Sequence, residues 1–566
     1  MSASAADATA AGLSRFVPIA AWLPRYDRSW LRWDVVAGLT VWAIVVPESI
    51  AYAVIAGVPV EYGLYAVPLA LLGYVVFGGC RQLFVGPSAT VASVSAVALG
   101  DAAGSSPSAS QAVVLSAALA LMVGVIYVLL GLARMGFVAR FFAKPVLDGF
   151  IVGLGLFIAV GQLPHLVGIE KPEGNTVHIF VTTLRDIGSW EWTTVAVGIL
   201  SLAALFAFAR FAPKAPGALI VVAASIIAVR AFDLTSHGVQ IVGEVPTGFH
   251  FASWSEISWD QLRDLLPGAL AVILVGFAQS IATAKAYGAK NGYRVDANQE
   301  LIGYGAANIG AGVLQGFTVT GSLSKSAAAE EAGGKSPVLL AITSALTVLT
   351  ILFLVGLFRN LAEATLAAVV IHAVSGMIDF PKLARLWRTH RDEFVLAAGA
   401  LLGVIVFDIL PGVVIGVALS FALLIRRLDH PYVALLGRSR DGTRFEDLTA
   451  HEDATAVPGA LIYRFESPLV FANAEIFSDG VLGAVAEADP APEAVILDFE
   501  SVPDIDSTGD DALIELQGTL QDQHIRLLVV RAMSDVRELM SRDGAMDAIG
   551  ADNVYPTVRE AVTSLS

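Results

Sequence analysis

Long apolar stretches, separated by short polar or glycine- and proline-rich breaks, occupy most of the chain up to about residue 425. Two of them, residues 112–132 and 338–358, contain no charged residue and are long enough to cross a hydrocarbon core of about 30 Å. The pattern predicts an all-α polytopic membrane domain with fourteen segments. They are expected near residues 35–55, 62–79, 88–100, 112–132, 146–168, 192–209, 217–232, 266–286, 299–316, 322–332, 337–357, 361–379, 394–408 and 410–425.

Two of these segments are too short to cross a membrane alone. At 1.5 Å per residue, residues 88–100 reach about 20 Å and residues 322–332 about 16 Å. Each follows a β-prone stretch that ends in glycine or glycine-proline, at residues 83–87 and 317–321. The sequence therefore predicts two half-helices.

The spacing of the half-helices indicates an internal repeat. Their first residues, Ser88 and Ser322, are 234 positions apart, and the first segments of the two halves, near residues 35 and 266, are 231 apart. We therefore expect two repeats of seven segments, and because seven is odd the second repeat must be inverted in the membrane. Broken helices at corresponding places in inverted repeats predict a binding site at the midplane.

The last part of the chain has a different pattern. Short apolar runs at residues 460–465, 494–497 and 525–530 are typical of strands, and residues 511–521 and 533–541 are amphipathic. This alternation predicts a small α/β domain. The expected regions are a cytosolic N-terminal segment (1–33), a transmembrane transport domain (34–427), a linker (428–456) and the α/β domain (457–566).

The distribution of charged residues distinguishes these regions and predicts their orientation in the membrane. Residues 451–566 hold 22 acidic and 6 basic side chains, which accounts for the whole formal net charge of −16. Such an acidic tail gives no reason to expect nucleic acid as a partner. Arginine and lysine are concentrated in the connections on the side of the N-terminus, beginning with Arg25, Arg28 and Arg32. By the positive-inside rule, both termini and the α/β domain are predicted to be cytosolic, in a protein of the inner (plasma) membrane.

Composition agrees with a membrane protein and excludes several kinds of site. Of the 566 residues, 56% are hydrophobic and 15% charged, against about 25% charged in an average soluble domain. Cys80 is the only cysteine, which excludes intrachain disulfides and cysteine-based metal sites. The membrane part has no nucleophile–base–acid set, zinc-ligand spacing or Walker loop, so we expect neither an enzyme nor a cofactor.

The starts of the half-helices are the first candidates for a substrate site. Helix N-termini expose unpaired N–H groups and a partial positive charge, which attract anions. In inverted repeats, Ser88-Ala89-Thr90 and Ser322-Leu323-Ser324 would point at one another across the midplane, and their hydroxyls would add neutral donors. The alternative is that these serines only cap or pack helices of small residues.

Ionisable and polar residues in apolar segments strengthen that site. Lys325 stands one turn into the second half-helix, where a cation marks a pathway or a partner, unless it snorkels to the interface. Glu48 follows the helix-breaking Pro47, and loss of hydration there favours the protonated form, which makes it a candidate proton acceptor. The alternative for Glu48 is a static salt bridge to Lys325, and the two roles are compatible. Gln279 either faces the site or bonds between helices.

Several motifs, among them VPESIAYA at residues 46–53 and Asp506-Ser507-Thr508-Gly509, resemble the SulP anion transporters, the sulfate permease and solute carrier 26 family. The run VPESIAYA at residues 46–53 resembles the opening signature of the family, and Asp506-Ser507-Thr508-Gly509 resembles its cytosolic STAS domain. Further matching blocks follow in order at residues 56–59, 61–65, 85–90, 298–301, 320–326 and 468–474. The resemblance therefore covers nearly the whole chain.

The resemblance implies fourteen helices in a seven-plus-seven inverted repeat, with a mobile core domain and a gate domain, usually in a homodimer. It also implies alternating access by an elevator-like motion of the core, with an anion held between the third and tenth helices. By position, the residues that would line this site are Glu48, Tyr52, Ser88, Gln279, Ser324 and Lys325.

Some positions depart from the common family pattern. Glu48 replaces a frequent glutamine, as in bacterial members to which proton coupling is attributed, and Gln279 replaces a frequent acid, which argues against sodium coupling. Lys325 replaces the more usual arginine and loses its bidentate geometry for an oxyanion. Ser507 aligns with a serine that is phosphorylated in stand-alone STAS proteins, and its alternative role is a tight strand-to-helix turn.

The sequence thus predicts a secondary active, proton-coupled symporter of a small anion of the sulfate, bicarbonate or dicarboxylate class. Its expected partners are the anion, a proton, the lipid bilayer and a second copy of the chain. The alternatives are an uncoupled chloride or anion exchanger, a sodium-coupled bicarbonate transporter and, in a different class, a membrane sensor whose STAS domain binds a signalling partner. These residues do not distinguish one small anion from another.

Overall fold

The computed structural model describes residues 17–103, 108–137, 144–172, 174–213, 215–407, 409–429 and 431–565. The chain divides into two compact units, with the division between Ser420 and Phe421. That point lies inside a helix that spans Ile409–Asp429.

The first unit is almost entirely helical. Its α-helices are α1 (Ile19–Trp22), α2 (Leu31–Ala56), α3 (Val60–Tyr65), α4 (Pro68–Phe77), α5 (Ala89–Ala103), α6 (Ala109–Leu132), α7 (Lys144–Val167), α8 (Thr176–Arg185), α9 (Trp192–Phe211), α10 (Gly217–Ala231), α11 (Trp259–Lys290), α12 (Ala297–Val313), α13 (Leu323–Glu331), α14 (Val338–Leu349), α15 (Glu363–Ser375), α16 (Phe380–Thr389), α17 (Arg391–Phe407) and α18 (Ile409–Asp429). A π-helical turn, Thr350–Leu354, and a 3-10 stretch, Val355–Asn360, continue α14. Among the described residues, eight helical stretches are long and apolar enough to cross a membrane.

Each predicted apolar segment falls on helical structure, although the count of fourteen spans stays a prediction. The segment predicted at residues 62–79 is two helices, because Pro68 starts α4 at a position where its missing N–H is tolerated. The amphipathic helices α8 and α16 were not predicted from the sequence. Each of them is only ten residues long, and α16 contains three basic residues, Lys382, Arg385 and Arg388, which make it too polar to count as an apolar segment.

The predicted half-helices are α5 and α13, and a short strand precedes each of them. The strands β1 (Phe84–Gly86) and β2 (Thr320–Ser322) form an antiparallel pair, with Val85 opposite Gly321. Because the strands are antiparallel, the chain enters α5 and α13 from opposite directions. The two helix N-termini therefore start from the same strand pair, as a site between two half-helices requires.

Close helix contacts hold this arrangement together. Helix α12 packs against α6 and α4, and α11 packs against α5. Glycines permit the approach of α6 and α12, since a Cβ atom added to Gly305 would lie 2.8 Å from the carbonyl oxygen of Gly124. In lipid there is no hydrophobic driving force between helices, so their association depends on close van der Waals packing. Small residues at such crossings permit that packing.

The second unit is an α/β domain built on a six-stranded sheet. Its strands are β3 (Tyr432–Arg438), β4 (Phe445–Asp447), β5 (Ala460–Glu466), β6 (Ala494–Asp498), β7 (Arg526–Val530) and β8 (Val554–Tyr555), in the order β4-β3-β5-β6-β7-β8. Its helices are α19 (Ala474–Glu487), α20 (Ser507–Asp522), α21 (Ser534–Asp543), α22 (Ala545–Ile549) and α23 (Val558–Thr563). Strands β5 to β8 are parallel, and β3 is antiparallel to both of its neighbours.

Both faces of this sheet are covered. Along β6, Val495 and Leu497 belong to one buried cluster, and Ile496 belongs to another on the opposite face. This explains the continuous apolar runs in the sequence, because parallel strands are buried on both sides. Strands β3 and β4 lie within residues 428–456, which the sequence predicted as a linker; the sheet therefore begins earlier than the apolar runs indicated.

Candidate anion-binding site

The strand pair between the half-helices is fixed by hydrogen bonds to neighbouring elements. The Gly321 N–H donates to Ser280 Oγ on α11 at 2.8 Å, and the Thr320 hydroxyl donates to the Gly276 carbonyl at 3.0 Å. Across the pair, the Phe84 N–H donates to Ser326 Oγ on α13 at 2.8 Å. These bonds place the starts of α5 and α13 on a rigid support.

A buried ion pair lies at this support. Lys325, the third residue of α13, is only 2% exposed, and its Nζ lies 2.6 Å from Glu48 Oε2 on α2. The ammonium also donates to the Pro87 carbonyl at 3.3 Å and lies 5.1 Å from the ring centroid of Tyr52. The Tyr52 hydroxyl donates to Glu48 Oε2 at 3.1 Å. Lys325 thus points into the protein and does not snorkel to an interface.

The groups that surround Glu48 are electrostatically positive, so they stabilise a negative charge, whether of Glu48 or of an anion in its place. Lys325 stands in the first turn of α13, where the helix itself contributes roughly half a positive charge, and α5 contributes a similar partial charge from the other side. Glu48, with its side chain 16% exposed, is the carboxylate in contact with the ammonium. One carboxylate against a cation and two helix N-termini leaves a net positive potential.

The serines at the two helix starts have different partners. Ser322 Oγ accepts from the Lys325 N–H at 3.4 Å and lies 3.2 Å from Ser324 Oγ, so it caps α13. Ser88 occupies the matching place on α5, where its carbonyl accepts from the Ala92 N–H at 3.0 Å. The Ser88 hydroxyl is buried and has no partner among the described residues. Ser88 is therefore available to a ligand, whereas Ser322 is engaged in its own helix.

The remaining sequence candidates lie around this centre. Ala89 and Thr90 are buried in the first turn of α5, with exposed fractions of 5% and 3%. Gln279 is half-buried on α11, next to Ser280, which holds β2. Ser324 is exposed. The structure therefore groups Glu48, Tyr52 and Lys325 in direct contact and places the others on the elements that carry them.

Two buried carboxylates that hold the half-helices were not identified as site residues from the sequence. Glu300 on α12 accepts from the N–H groups of Gly79 and Cys80 at 2.8 and 2.7 Å and from the Tyr74 hydroxyl at 2.9 Å. It thereby fixes the chain that leads into β1 and α5. Glu300 lies in a block that resembles the family, which was the available signal, but its contacts lie more than two hundred residues away in sequence.

The second buried carboxylate, Asp34, fixes the chain that leaves α13. Asp34 on α2 accepts from the N–H groups of Lys335 and Ser336 at 2.7 and 3.1 Å. It also accepts from the Ser336 hydroxyl at 2.7 Å and the Tyr26 hydroxyl at 3.1 Å. An acid near the start of an apolar segment is typical of an interface, so the sequence alone gave no reason to single it out.

Ser507 lies in the other unit, at the first residue of α20. It is exposed, and the preceding Asp506 caps the helix by accepting from the Gly509 N–H at 2.9 Å. Asp506 also accepts from the Phe471 N–H at 2.8 Å. A helix N-terminus favours a phosphate, but the aspartates that follow on α20 oppose it. The geometry accommodates a tight turn, and phosphorylation stays a prediction.

The architecture and its site can now be compared with known proteins. Residues 31–400 match the sulfate permease family, and residues 452–561 match the STAS domain. The chain belongs to the sulfate permease family. This sulfate permease homologue is therefore a multi-pass membrane protein with an α/β STAS domain at its C-terminal side.

Relatives of this sulfate permease homologue carry sulfate transporter names. A probable sulfate transporter of Mycobacterium tuberculosis is 36% identical over 553 residues, which cover 96% of this chain and 98% of the relative. The chloroplastic sulfate transporter 4.1 of Arabidopsis thaliana is 30% identical over 568 residues, with 96% and 82% covered.

Solved structures agree with the fold of this sulfate permease homologue. The murine solute carrier 26 family member A9 anion transporter, in its inward-facing state, matches with a TM-score of 0.89 at 25% identity, over 100% of this chain and 95% of that one. The transmembrane domain of a cyanobacterial bicarbonate transporter matches with a TM-score of 0.60 at 19% identity, over 70% and 98% of the two chains. The second likeness concerns the fold alone.

Proposed function

We propose that this protein is a proton-coupled symporter of a small anion of the sulfate class, which works by alternating access. The observation that carries the proposal is the 2.6 Å ion pair between Lys325 and Glu48 at the start of a half-helix. The sulfate transporter names of its relatives favour sulfate over bicarbonate or a dicarboxylate as the first anion to test.

The ion pair suggests how proton and anion are coupled. While Glu48 is ionised, it neutralises Lys325 and occupies the place that an anion would take. Protonation of Glu48 removes the negative charge, so that Lys325, the Ser88 hydroxyl and the two helix N-termini can bind the anion. Loss of the proton on the other side re-forms the ion pair and expels the anion.

The same pair argues against the other transport modes. In an uncoupled exchanger, the anion site would keep its positive charge at every pH, whereas here a carboxylate competes with the anion. The family resemblance implies that sodium-coupled members use an acid on this helix to help hold the ion, and Gln279 is neutral. We extend the proposal to an elevator-like motion of the core, a homodimer and cytosolic termini, on the family resemblance and the charge distribution.

Uptake into proteoliposomes tests the proposal. The purified protein should accumulate radiolabelled sulfate, and an inward proton gradient should raise the initial rate several-fold. Bicarbonate, succinate and chloride, measured in parallel, define the selectivity. Uptake that is unaffected by the proton gradient would favour an exchanger, and no flux of any of the four anions would favour a sensor.

A further inference from the structure

A cavity of about 520 Å³ opens beside the ion-pair site. The end of α2 supplies Val54 and Ile55, the middle of α5 supplies Ser93, and the end of α7 supplies Gln162 and His165. The start of α8 and the end of α17 complete the wall. It lies at the C-terminal end of α2, away from the arginines that precede this helix, and thus on the side predicted to be external.

The cavity and the ion-pair site share two helices. Val54 follows Tyr52 by two residues on α2, and Ser93 follows Ala89 by one turn on α5. At 1.5 Å per residue, these steps correspond to about 3 Å and 6 Å along the helix axes. Tyr52 and Ala89 are each 5% exposed and do not line the cavity.

One described lining residue, Lys171, carries a permanent positive charge. His165 contributes an imidazole, and none of the described lining residues is a carboxylate. His165 Nδ1 lies 3.8 Å from Glu363 Oε2, so this imidazole has an acidic neighbour outside the lining. Lys171 is exposed and has no ion pair within the described part of the chain. Glu170, the residue before it, is also exposed but does not line the cavity, so Lys171 is the charged side chain that the described lining presents at the mouth.

Two neutral polar side chains line the inner wall. Gln162 is 8% exposed and presents an amide to the cavity. Ser93 is 2% exposed, and its buried hydroxyl has no partner among the described residues. A buried hydroxyl without a partner carries a desolvation cost of about 1–3 kcal/mol unless water or a ligand satisfies it. Both groups are thus suited to a guest with hydrogen-bonding capacity.

We propose that this cavity is an outer binding site, in which the transported anion is held before it reaches Lys325. Lys171 attracts the anion to the mouth, and the Gln162 amide and Ser93 hydroxyl replace part of its hydration shell. A cation at the mouth of a cavity raises the local concentration of an anion and its association rate. The inference rests on the proposed transport of a small anion.

The test is the concentration dependence of labelled sulfate uptake into intact cells that express the full chain, so that sulfate enters from outside. Lys171→Gln should raise the KM about fivefold at an ionic strength of about 0.01 M and less than twofold at about 1 M, because the Debye length falls from about 30 Å to about 3 Å. The maximal rate should not change. Lys171→Arg should restore the wild-type KM.

Two further variants separate the roles within the cavity. Gln162→Leu should raise the KM about threefold at both ionic strengths, because it removes an uncharged hydrogen-bonding group. Arg185→Gln removes an exposed cation from the end of α8 that does not line the cavity, and should behave as wild type. A saturated uptake rate equal to wild type shows that each variant is folded and inserted.

The outcomes distinguish this inference from the proposed function. If wild-type cells take up sulfate and Lys171→Gln has the same KM as Arg185→Gln, the outer site is disproved and the proposed function stands. An unchanged KM in Gln162→Leu would show that the cavity interior holds no anion, as expected if it houses a lipid chain. No sulfate uptake by the wild type would overturn the proposed function and the outer site with it.

Discussion

Each unit of the protein buries an ion pair, and the two pairs are built differently. In the STAS domain, Asp498 is fully buried at the end of β6 and accepts from Arg464 Nε at 2.8 Å and Arg531 Nε at 2.9 Å. Arg531 also reaches Glu500, with Nη1 and Oε2 2.5 Å apart. In the membrane unit, Lys325 meets one carboxylate and one carbonyl.

The two ion pairs differ in whether polar groups at or beside the pair lack a hydrogen-bond partner. Every oxygen of Asp498 is engaged by a guanidinium, so this cluster fixes the ends of three neighbouring strands. The Lys325 pair lies beside a Ser88 hydroxyl without a described partner and two helix N-termini. A saturated pair is structural, whereas an incompletely satisfied pair can exchange one partner for a ligand. Substitutions in the Asp498 cluster should therefore lower stability, and substitutions in the Lys325 pair should lower transport.

The largest effect is expected from the saturated pair. Asp498→Asn leaves two arginines without their shared anion and should destabilise the STAS domain by about 3–5 kcal/mol. Hydrogen exchange of peptides from β5, β6 and β7 in the full-length protein measures this. The control is Glu500→Gln, whose side chain is 55% exposed and whose loss should cost less than about 1 kcal/mol. Equal effects of the two substitutions would contradict the structural role of Asp498.

Substitution of the lysine in the membrane ion pair should reduce transport. Lys325→Met removes the cation at the half-helix and should lower sulfate uptake by about 100-fold, or about 2.7 kcal/mol. Lys290→Met is the matched control, because Lys290 also contacts a glutamate, at 2.8 Å from Glu330, but is 64% exposed. This control should retain uptake within about twofold. Retention of most of the uptake in Lys325→Met would contradict its role at the site.

A smaller effect is expected when the support of the site is loosened. Glu300→Gln keeps the size of the side chain but weakens the acceptor of the Gly79 and Cys80 N–H groups. We expect about a tenfold loss of sulfate uptake, or about 1.4 kcal/mol, since the start of α5 is less firmly held. Glu244→Gln, at a side chain that is 83% exposed, serves as the control. Wild-type uptake by Glu300→Gln would show that this carboxylate does not position the half-helix.

The smallest effect concerns a buried acid without a hydrogen-bond partner among the described residues. Asp510 on α20 is buried, and neither of its oxygens has a described partner; burial, and then Asp543, Asp511 and Asp506, raise its pKa to about 6. Because the pKa of an unfolded aspartate is about 3.9, the stabilising contribution is complete below about pH 4 and is lost as the pH rises through 6.

Asp510→Asn should therefore stabilise the STAS domain by about 1 kcal/mol at pH 7.5 and leave it unchanged near pH 4. Hydrogen exchange at the two pH values, corrected for the intrinsic exchange rate, gives the comparison. Asp511→Asn, at the exposed neighbouring position, should show no such pH dependence. Destabilisation by Asp510→Asn at pH 7.5 would indicate a partner for this carboxylate.

The sequence predicted the features that depend on local pattern. Glycine and proline before Ser88 and Ser322 interrupt apolar runs, and this interruption marked the strands and half-helices that the structure contains. The family resemblance, which the comparisons confirm, then placed Glu48 and Lys325 in one site. For Glu48 the sequence left two compatible roles, a proton acceptor and a salt bridge to Lys325. The structure contains the salt bridge.

Features that depend on distant contacts were not predictable in this way. Glu300 and Asp34 bind backbone N–H groups on other elements, and neither periodicity nor composition reports which N–H group a carboxylate meets. Strand β3 was missed because it is a single short apolar run, whose pairing with β5 is determined by tertiary structure. The identity of the transported anion and the direction of coupling could not be predicted either. Both depend on differences in free energy between conformational states, and no local sequence pattern reports these differences.

The most direct test of the central claim is the pH dependence of sulfate affinity in the wild type and in Glu48→Gln. Purified protein is titrated with labelled sulfate between pH 5 and pH 8. If Glu48 competes with the anion for Lys325, wild-type affinity should fall by up to about tenfold per pH unit once Glu48 is ionised, and Glu48→Gln should bind tightly at every pH. An unchanged pH dependence in Glu48→Gln would contradict the coupling of proton and anion through this ion pair.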